Sequence, residues 1–252
     1  MEKNSYKENF FQKIKGSLFV SCQAYEGEPF FSPDSMARMA LCAMQGGAKG
    51  IRANSIPQIK AIMKAVPLPV IGLIKTVYED SPIYITPTMR EVDQLAQCGC
   101  DIIALDATLR PRPGGVELEE FFGEIRSRYP TKIFMADCST AKEALNAQRL
   151  GFDCVGTTLR GYTEYTKGAA LPGIDMIQEI SRQVTVPIFA EGGIWTPQQL
   201  QSCYDAGAHT AVVGTAITRP IHITGRFVEY IQSHNQKSSR PGHLEPTNPW
   251  EG

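Results

Sequence analysis

Short apolar runs of strand length alternate along the chain with amphipathic stretches of helix length. The runs that read as strands are 18–23, 50–53, 69–75, 102–107, 132–138, 154–158, 187–191 and 211–215. Between them, apolar residues recur at helical spacing over 35–45, 56–65, 89–98, 118–128, 141–150, 174–183, 197–206 and 224–232. Strict alternation of the two patterns predicts a parallel α/β sheet, and eight repeats predict that it closes into a single (β/α)8 TIM barrel. The strand runs are apolar on both faces, as expected where helices cover the outside and packed side chains fill the inside.

Local signals punctuate this pattern. Ser32-Pro33-Asp34 and Thr196-Pro197 read as helix starts, and Gly46-Gly47 reads as a helix stop. The phrases Gly99-Cys-Asp, Gly151-Phe-Asp and Gly207-Ala-His read as helix-to-strand turns at the bottom of the barrel. Residues 1–15 are expected to form a helix over the barrel floor, 16–234 the barrel, and 235–252 a mobile tail rich in Pro, Gly and polar groups.

Composition narrows the class without changing the fold. The 252 residues approach the roughly 250 of a typical barrel, with 42% hydrophobic and 20% charged residues. A net charge of −1 gives no reason to expect nucleic acid or a membrane surface as partner. No apolar run reaches the ~18 residues of a membrane span. The polar start MEKNSYKENFFQKIKG lacks the apolar centre of a signal peptide, so a cytoplasmic location is the expectation. The seven cysteines agree, being odd in number and scattered. Cys98 and Cys100 form a close pair, but no second Cys or His pair is spaced to complete a zinc site.

Candidate chemistry concentrates where strands end. The seventh and eighth runs end in Glu191-Gly192-Gly193 and Gly214-Thr215, with Arg219 following. Glycine turns after the last two strands of a barrel present backbone N–H groups to an anion, so a phosphorylated small molecule is implied, gripped by Gly192, Gly193, Gly214, Thr215 and Arg219. Other runs end in Gln23, Arg52, Lys75, Asp106, Asp137 and Thr157-Thr158. Charged groups closing successive apolar runs are costly to bury without partner or ligand, which favours a functional mouth.

Lys75 is the candidate base or Schiff-base nucleophile, with Arg52 as a neighbouring cation that would lower its proton affinity. Glu191 and Asp137 are the candidate acid/base carboxylates; Asp137 is alternatively an ion-pair partner that orients Lys75. Gln23 offers a donor and an acceptor to a hydroxyl or amide. The loop 108–115, with Arg110 and Arg112, either closes over an anionic ligand or is a solvated loop. The loop after the sixth run carries Tyr162 and Thr163, candidate substrate contacts that would cover the site.

Taken together, Val20-Ser-Cys-Gln23, Gly50-Ile-Arg52-Ala53, Gly72-Leu-Ile-Lys75, Tyr84-Ile-Thr-Pro-Thr88, Ala104-Leu-Asp-Ala-Thr108, Met135-Ala-Asp137, Thr157-Thr-Leu-Arg-Gly-Tyr-Thr163, Ala190-Glu-Gly-Gly193 and Val213-Gly-Thr-Ala-Ile-Thr-Arg-Pro220 resemble the N-acetylmannosamine-6-phosphate 2-epimerase family of bacterial sialic-acid catabolism. The resemblance spans residues 16–233. It implies a cofactor-free isomerase, with no metal, that interconverts N-acetylmannosamine 6-phosphate and N-acetylglucosamine 6-phosphate. By motif it assigns the catalytic lysine to Lys75, the assisting carboxylate to Glu191, substrate orientation to Gln23, Arg52 and Asp137, and the phosphate grip to Gly193, Gly214, Thr215 and Arg219.

Three rivals are weighed beside it. A metal-dependent sugar-phosphate epimerase needs His and Asp ligands at early strand ends, whereas His209, His222, His234 and His243 all follow the seventh run. A Schiff-base lyase of the aldolase type would use Lys75 as nucleophile. A non-catalytic sugar-phosphate sensor would bind without turnover. A homodimer is open on symmetry grounds alone.

Overall fold

The computed structural model describes residues 2–238, and side chains within 5–234. Eight strands alternate with helices: α1 Glu2–Ile14, β1 Leu18–Cys22, α2 Pro33–Gln45, β2 Gly50–Asn54, α3 Ile56–Ala65, β3 Val70–Leu73, α4 Met89–Cys98, β4 Ile102–Asp106, α5 Leu118–Arg128, β5 Ile133–Asp137, α6 Ala141–Leu150, β6 Cys154–Gly156, α7 Ile174–Ser181, β7 Ile188–Glu191, α8 Pro197–Asp205, β8 Thr210–Val213, α9 Thr215–Thr218 and α10 Pro220–Ser238. The strands pair in parallel in sequence order, and β8 pairs back with β1, so the sheet is a closed (β/α)8 barrel.

Strand parity explains both the core and the site. Successive side chains alternate between the two faces of a strand. Phe19, Ile71, Ile102, Ala104, Ile133, Met135, Cys154, Phe189 and Val212 pack together as the barrel interior. Two residues onward from interior positions stand Lys75 after Leu73, Asp106 after Ala104, Asp137 after Met135 and Glu191 after Phe189. The same inward face that fills the floor with apolar groups therefore fills the mouth with charged ones. The opposite face, with Val20, Ile51, Ile103, Phe134, Val155 and Ala211, packs under the helices.

Helix α1 closes the floor. Phe11 and Ile14 join the interior cluster. The Thr210 hydroxyl donates to the Ile14 carbonyl at 2.9 Å, and Lys7 pairs with Asp153 at 2.6 Å.

Most helix bounds follow the sequence pattern, and the departures have local causes. Helix α2 starts at Pro33, two residues early, because Ser32 caps it by accepting from the Ser35 N–H at 3.0 Å and proline suits the first turn. Strand β3 stops at Leu73, short of Lys75. Beyond it the chain pairs antiparallel with a later segment: Thr76 N–H donates to the Tyr84 carbonyl at 3.0 Å and Thr86 N–H to the Ile74 carbonyl at 2.7 Å. That return brings Tyr84 to the barrel mouth. After β8, the short α9 intervenes before α10, which is much longer than the expected 224–232. It also carries residues 235–238 of the expected tail as helix. The rest of that tail, 239–252 with His243 and Trp250, lies outside the described residues.

One glycine tests the packing of the floor. A Cβ on Gly50 would fall 2.0 Å from the Phe19 ring, which itself packs edge-on against Phe189 with centroids 6.0 Å apart. Gly50→Ala is expected to lower stability by about 1–3 kcal/mol through overpacking. A thermal melt should show Tm falling by about 2–4 °C for each kcal/mol lost.

Candidate active site

The strand ends open into a cavity of about 390 Å³ at the C-terminal face of the barrel, a size that suits a small-molecule ligand. Gln23, Arg52, Lys75, Tyr162, Glu191, Gly192, Gly193, Gly214, Thr215 and Arg219 all line it. Two of the expected residues do not. Asp137 lies fully buried beneath Arg52, and Thr163 is buried with its hydroxyl 2.6 Å from that of Thr166, within its own loop.

At the centre lies a buried charge cluster. Arg52 donates to both Asp137 oxygens, from Nη1 at 3.1 Å and from Nη2 at 2.7 Å, and its Nη1 is 3.2 Å from Glu191 Oε2. Asp137 therefore pairs with Arg52, and the alternative in which it orients Lys75 is not what forms. Arg52 likewise spends its charge on two carboxylates instead of standing as a bare cation beside Lys75. Burial opposes that charge, but Asp137 and Glu191 outweigh it and hold the guanidinium above its ordinary pKa. Thr158 completes the cluster, its hydroxyl 2.7 Å from Asp137 Oδ1 and 3.2 Å from Glu191 Oε2.

Glu191 is the poised member. Burial pushes its carboxyl up and Asp137 adds to this, while Arg52, Thr158 and Lys75 pull it down, leaving it at about 7. A group that is half protonated near neutrality can both give and take a proton. Its side chain is 14% exposed, so it reaches the cavity.

Lys75 extends from the other side of the mouth. Its Nζ donates to the Tyr25 hydroxyl at 3.0 Å, and Asn54 Oδ1 fixes its backbone N–H at 2.9 Å. Gln23 donates through Nε2 to Ser21 Oγ at 2.8 Å, while its Oε1 is buried without a partner. An orphaned acceptor at a cavity wall favours a ligand that brings an N–H or O–H donor.

The end of the cavity expected to hold the phosphate is built from backbone. Gly192 and Gly193 have φ of 102° and 69°, and a Cβ on Gly193 would meet Leu171 Cβ at 2.3 Å. The backbone angle favours glycine at both positions, and Leu171 additionally excludes a Cβ at Gly193. Gly214 caps the short α9, its carbonyl accepting from the Ile217 and Thr218 N–H groups at 2.8 and 3.0 Å, which leaves the Thr215 and Ala216 N–H groups with no earlier acceptor in the helix. Thr218 ties this turn to β1, its hydroxyl donating to the Ser21 carbonyl at 2.8 Å. Arg219 sits beside it, paired with Glu28, and its Nε is buried without a partner.

The basic loop 108–115 serves a different purpose from either expectation. Arg110 pairs with Asp106 at 2.6 Å. Arg112 is 2% exposed, donates to the carbonyls of Asp106 and Pro87, and lies 4.4 Å over the Phe121 ring. These arginines lock the loop to the barrel and do not face the cavity. The sequence reading gave no role to Tyr25, Tyr84, Leu171, Trp195 or His222, which also line the site. Tyr25 follows Gln23 by two residues, so an aromatic near a strand-end residue was its available signal, and Tyr84 opens the 84–88 segment that carries part of the resemblance. Leu171, Trp195 and His222 had none.

The Glu191 carboxyl carries a sign for stability. Its pKa rises from 4.5 to about 7 on folding, so between those values the folded state holds more protons than the unfolded state. Stability therefore falls as pH rises through that window. Glu191→Gln removes the penalty. In thermal melts, the variant's Tm relative to the parent protein should climb between pH 4.5 and 7 and level off above.

The family model described as "Putative N-acetylmannosamine-6-phosphate epimerase" matches residues 36–233. A relative from Enterobacter sp. (strain 638) is 54% identical over 224 residues, covering 88% of this chain and 95% of that protein. A relative from Caldanaerobacter subterraneus subsp. tengcongensis is 50% identical over 232 residues, covering 92% and 98%. Both are named "Putative N-acetylmannosamine-6-phosphate 2-epimerase". The solved structure of the N-acetylmannosamine-6-phosphate 2-epimerase from Clostridium perfringens superimposes with a TM-score of 0.84 at 46% identity, over 88% of this chain and 96% of that one. The (β/α)8 barrel, the glycine turns and the charged mouth thus accompany similarity over 88–92% of the chain, and the chain belongs to the N-acetylmannosamine-6-phosphate 2-epimerase family.

Proposed function

We propose that this protein interconverts N-acetylmannosamine 6-phosphate and N-acetylglucosamine 6-phosphate by proton exchange at C2, in the catabolism of amino sugars. The observation that carries this reading is that Lys75 and the Glu191 carboxyl, held beside Arg52, line one cavity whose other end is formed by the turns at Gly192, Gly193 and Gly214. The relatives' names favour the epimerase over a Schiff-base lyase or a non-catalytic sensor.

The chemistry follows from the acidity of the carbon. The C2 proton is removable only when C1 is an open-chain aldehyde, because the resulting negative charge then spreads to the C1 oxygen. Glu191 moves the proton that opens and recloses the ring between the ring oxygen and the C1 hydroxyl. Lys75 exchanges the C2 proton, and return of a proton to the other face gives the epimer. Arg52 steadies the developing negative charge through its field and holds Glu191 in place, since Asp137 occupies both its Nη atoms. The orphaned Gln23 Oε1 accepts from the substrate's N–H or O–H groups, and Tyr162 covers the bound sugar. Gly192, Gly193, Gly214, Thr215 and Arg219 hold the phosphate, and that distant binding aligns C2 with Lys75. Asp137 contributes by orienting Arg52, and Thr163 by shaping the loop that carries Tyr162. No step requires a cofactor.

We place the enzyme in the cytoplasm. All seven cysteines are free thiols, which suits a reducing compartment, and no helix among the described residues is long and apolar enough to cross a membrane. We also infer a homodimer. Helix α10 exposes Ile221, Phe227, Val228, Tyr230 and Ile231, and such a row favours a partner surface, with a second copy the simplest occupant.

Incubation with N-acetylmannosamine 6-phosphate in D2O should place deuterium at C2 of product by proton NMR. Lys75→Ala should abolish the exchange, and turnover at the normal rate by that variant would remove the lysine from the mechanism. Light scattering should return the mass of two chains, and Phe227→Glu should shift it toward one.

A further inference from the structure

The loop after β1 connects the two ends of the site through one aromatic side chain. Tyr25 accepts a hydrogen bond from Lys75 Nζ at 3.0 Å. The same ring lies 4.8 Å from the Arg219 guanidinium carbon and 4.7 Å from Lys75 Nζ. Glu28 secures the loop on both sides: one carboxylate oxygen pairs with Arg219 Nη2, and the other accepts from the Tyr25 N–H at 3.0 Å. The Glu28 N–H returns a bond to the Tyr25 carbonyl at 3.0 Å. The cation assigned to the phosphate and the cation assigned to the proton thus share one tyrosine, and an acid of the protein already occupies the first of them.

The occupation is incomplete. A guanidinium holds an oxyanion best through two parallel donors. Glu28 engages Nη2, while Arg219 Nε is buried with no partner. A phosphate spanning Nε and Nη2 satisfies both and displaces the carboxylate. Once displaced, Glu28 no longer fixes the Tyr25 backbone, and the hydroxyl that holds Lys75 is free to readjust.

We propose that Tyr25 is a positioning residue for Lys75, and that Glu28 is an internal stand-in for the substrate phosphate whose displacement from Arg219 couples filling of the phosphate end to the setting of Lys75. This rests on the epimerase reading above and deepens it. Tyr25 acts through Lys75 and takes no proton from the substrate. Glu28 lowers phosphate affinity by competing for Arg219.

The two residues give effects of opposite kind. Tyr25→Phe keeps the ring beneath both cations and removes only the hydroxyl. It should lower kcat by about tenfold or more, as loss of a hydrogen bond to a charged group does, while KM and the binding of inorganic phosphate stay within about twofold. Glu28→Gln keeps an acceptor for the Tyr25 N–H but removes the competing charge. Titration calorimetry with inorganic phosphate should then show binding several-fold tighter than in the parent protein.

An unchanged kcat in Tyr25→Phe overturns the positioning role, as does a loss that moves kcat, KM and Tm together. Weaker or equal phosphate binding in Glu28→Gln overturns the stand-in role. Phosphate titration needs no turnover, so failure of the Lys75 assignment in D2O would be recognised separately from failure of the coupling.

Discussion

The site depends on one guanidinium buried between two carboxylates. Arg52 is 1% exposed, and so is unavailable to water that would otherwise satisfy it. Its two-pronged bond to Asp137 removes most of the cost of burying either charge alone. Glu191 is the additional carboxylate. One cation and two carboxylic acids crowd a space with little solvent, so the system retains a proton on Glu191 to a higher pH than a free side chain would. The pKa of Glu191 is thus a property of the cluster, and Thr158 and Lys75 adjust it from the rim.

Around that cluster the barrel divides its labour by height. Apolar interior residues and helix α1 close the floor, charged groups one parity step higher form the mouth, and loops supply aromatics. The turns proposed to hold the phosphate present backbone N–H groups, and Gly192 and Gly193 adopt the left-handed angles that favour glycine. The charge that is added, Arg219, is balanced by Glu28. The described structure therefore shows a site in which each cation near the mouth is already committed: Arg52 to Asp137 and Glu191, Lys75 to Tyr25, Arg110 to Asp106 and Arg219 to Glu28.

The strand and helix pattern was legible because each element buries a face set by its own period. Met89–Cys98 and Ala141–Leu150 have the bounds their apolar spacing predicts. Boundaries were lost where nonlocal hydrogen bonds intervened, as after β3, where pairing with the Tyr84 segment draws Lys75 out of the parallel ladder. The cavity residues that could be read were those closing strands. Leu171 and Trp195 sit on loops whose path no local pattern specifies.

By itself the sequence determined which residues face inward at the barrel mouth, because alternation along a strand is a local property and an inward position stays inward once the neighbours pair. It also marked the turn at Gly192 and Gly193, whose left-handed backbone angles favour glycine. It could not determine which charge meets which. Arg52 could have faced Lys75, Asp137 could have faced Lys75, and Arg110 and Arg112 could have reached the cavity. Those choices were made by the closure of the barrel, which sets the distance across the mouth between strands far apart in sequence, and by the cost of leaving any buried charge without a partner.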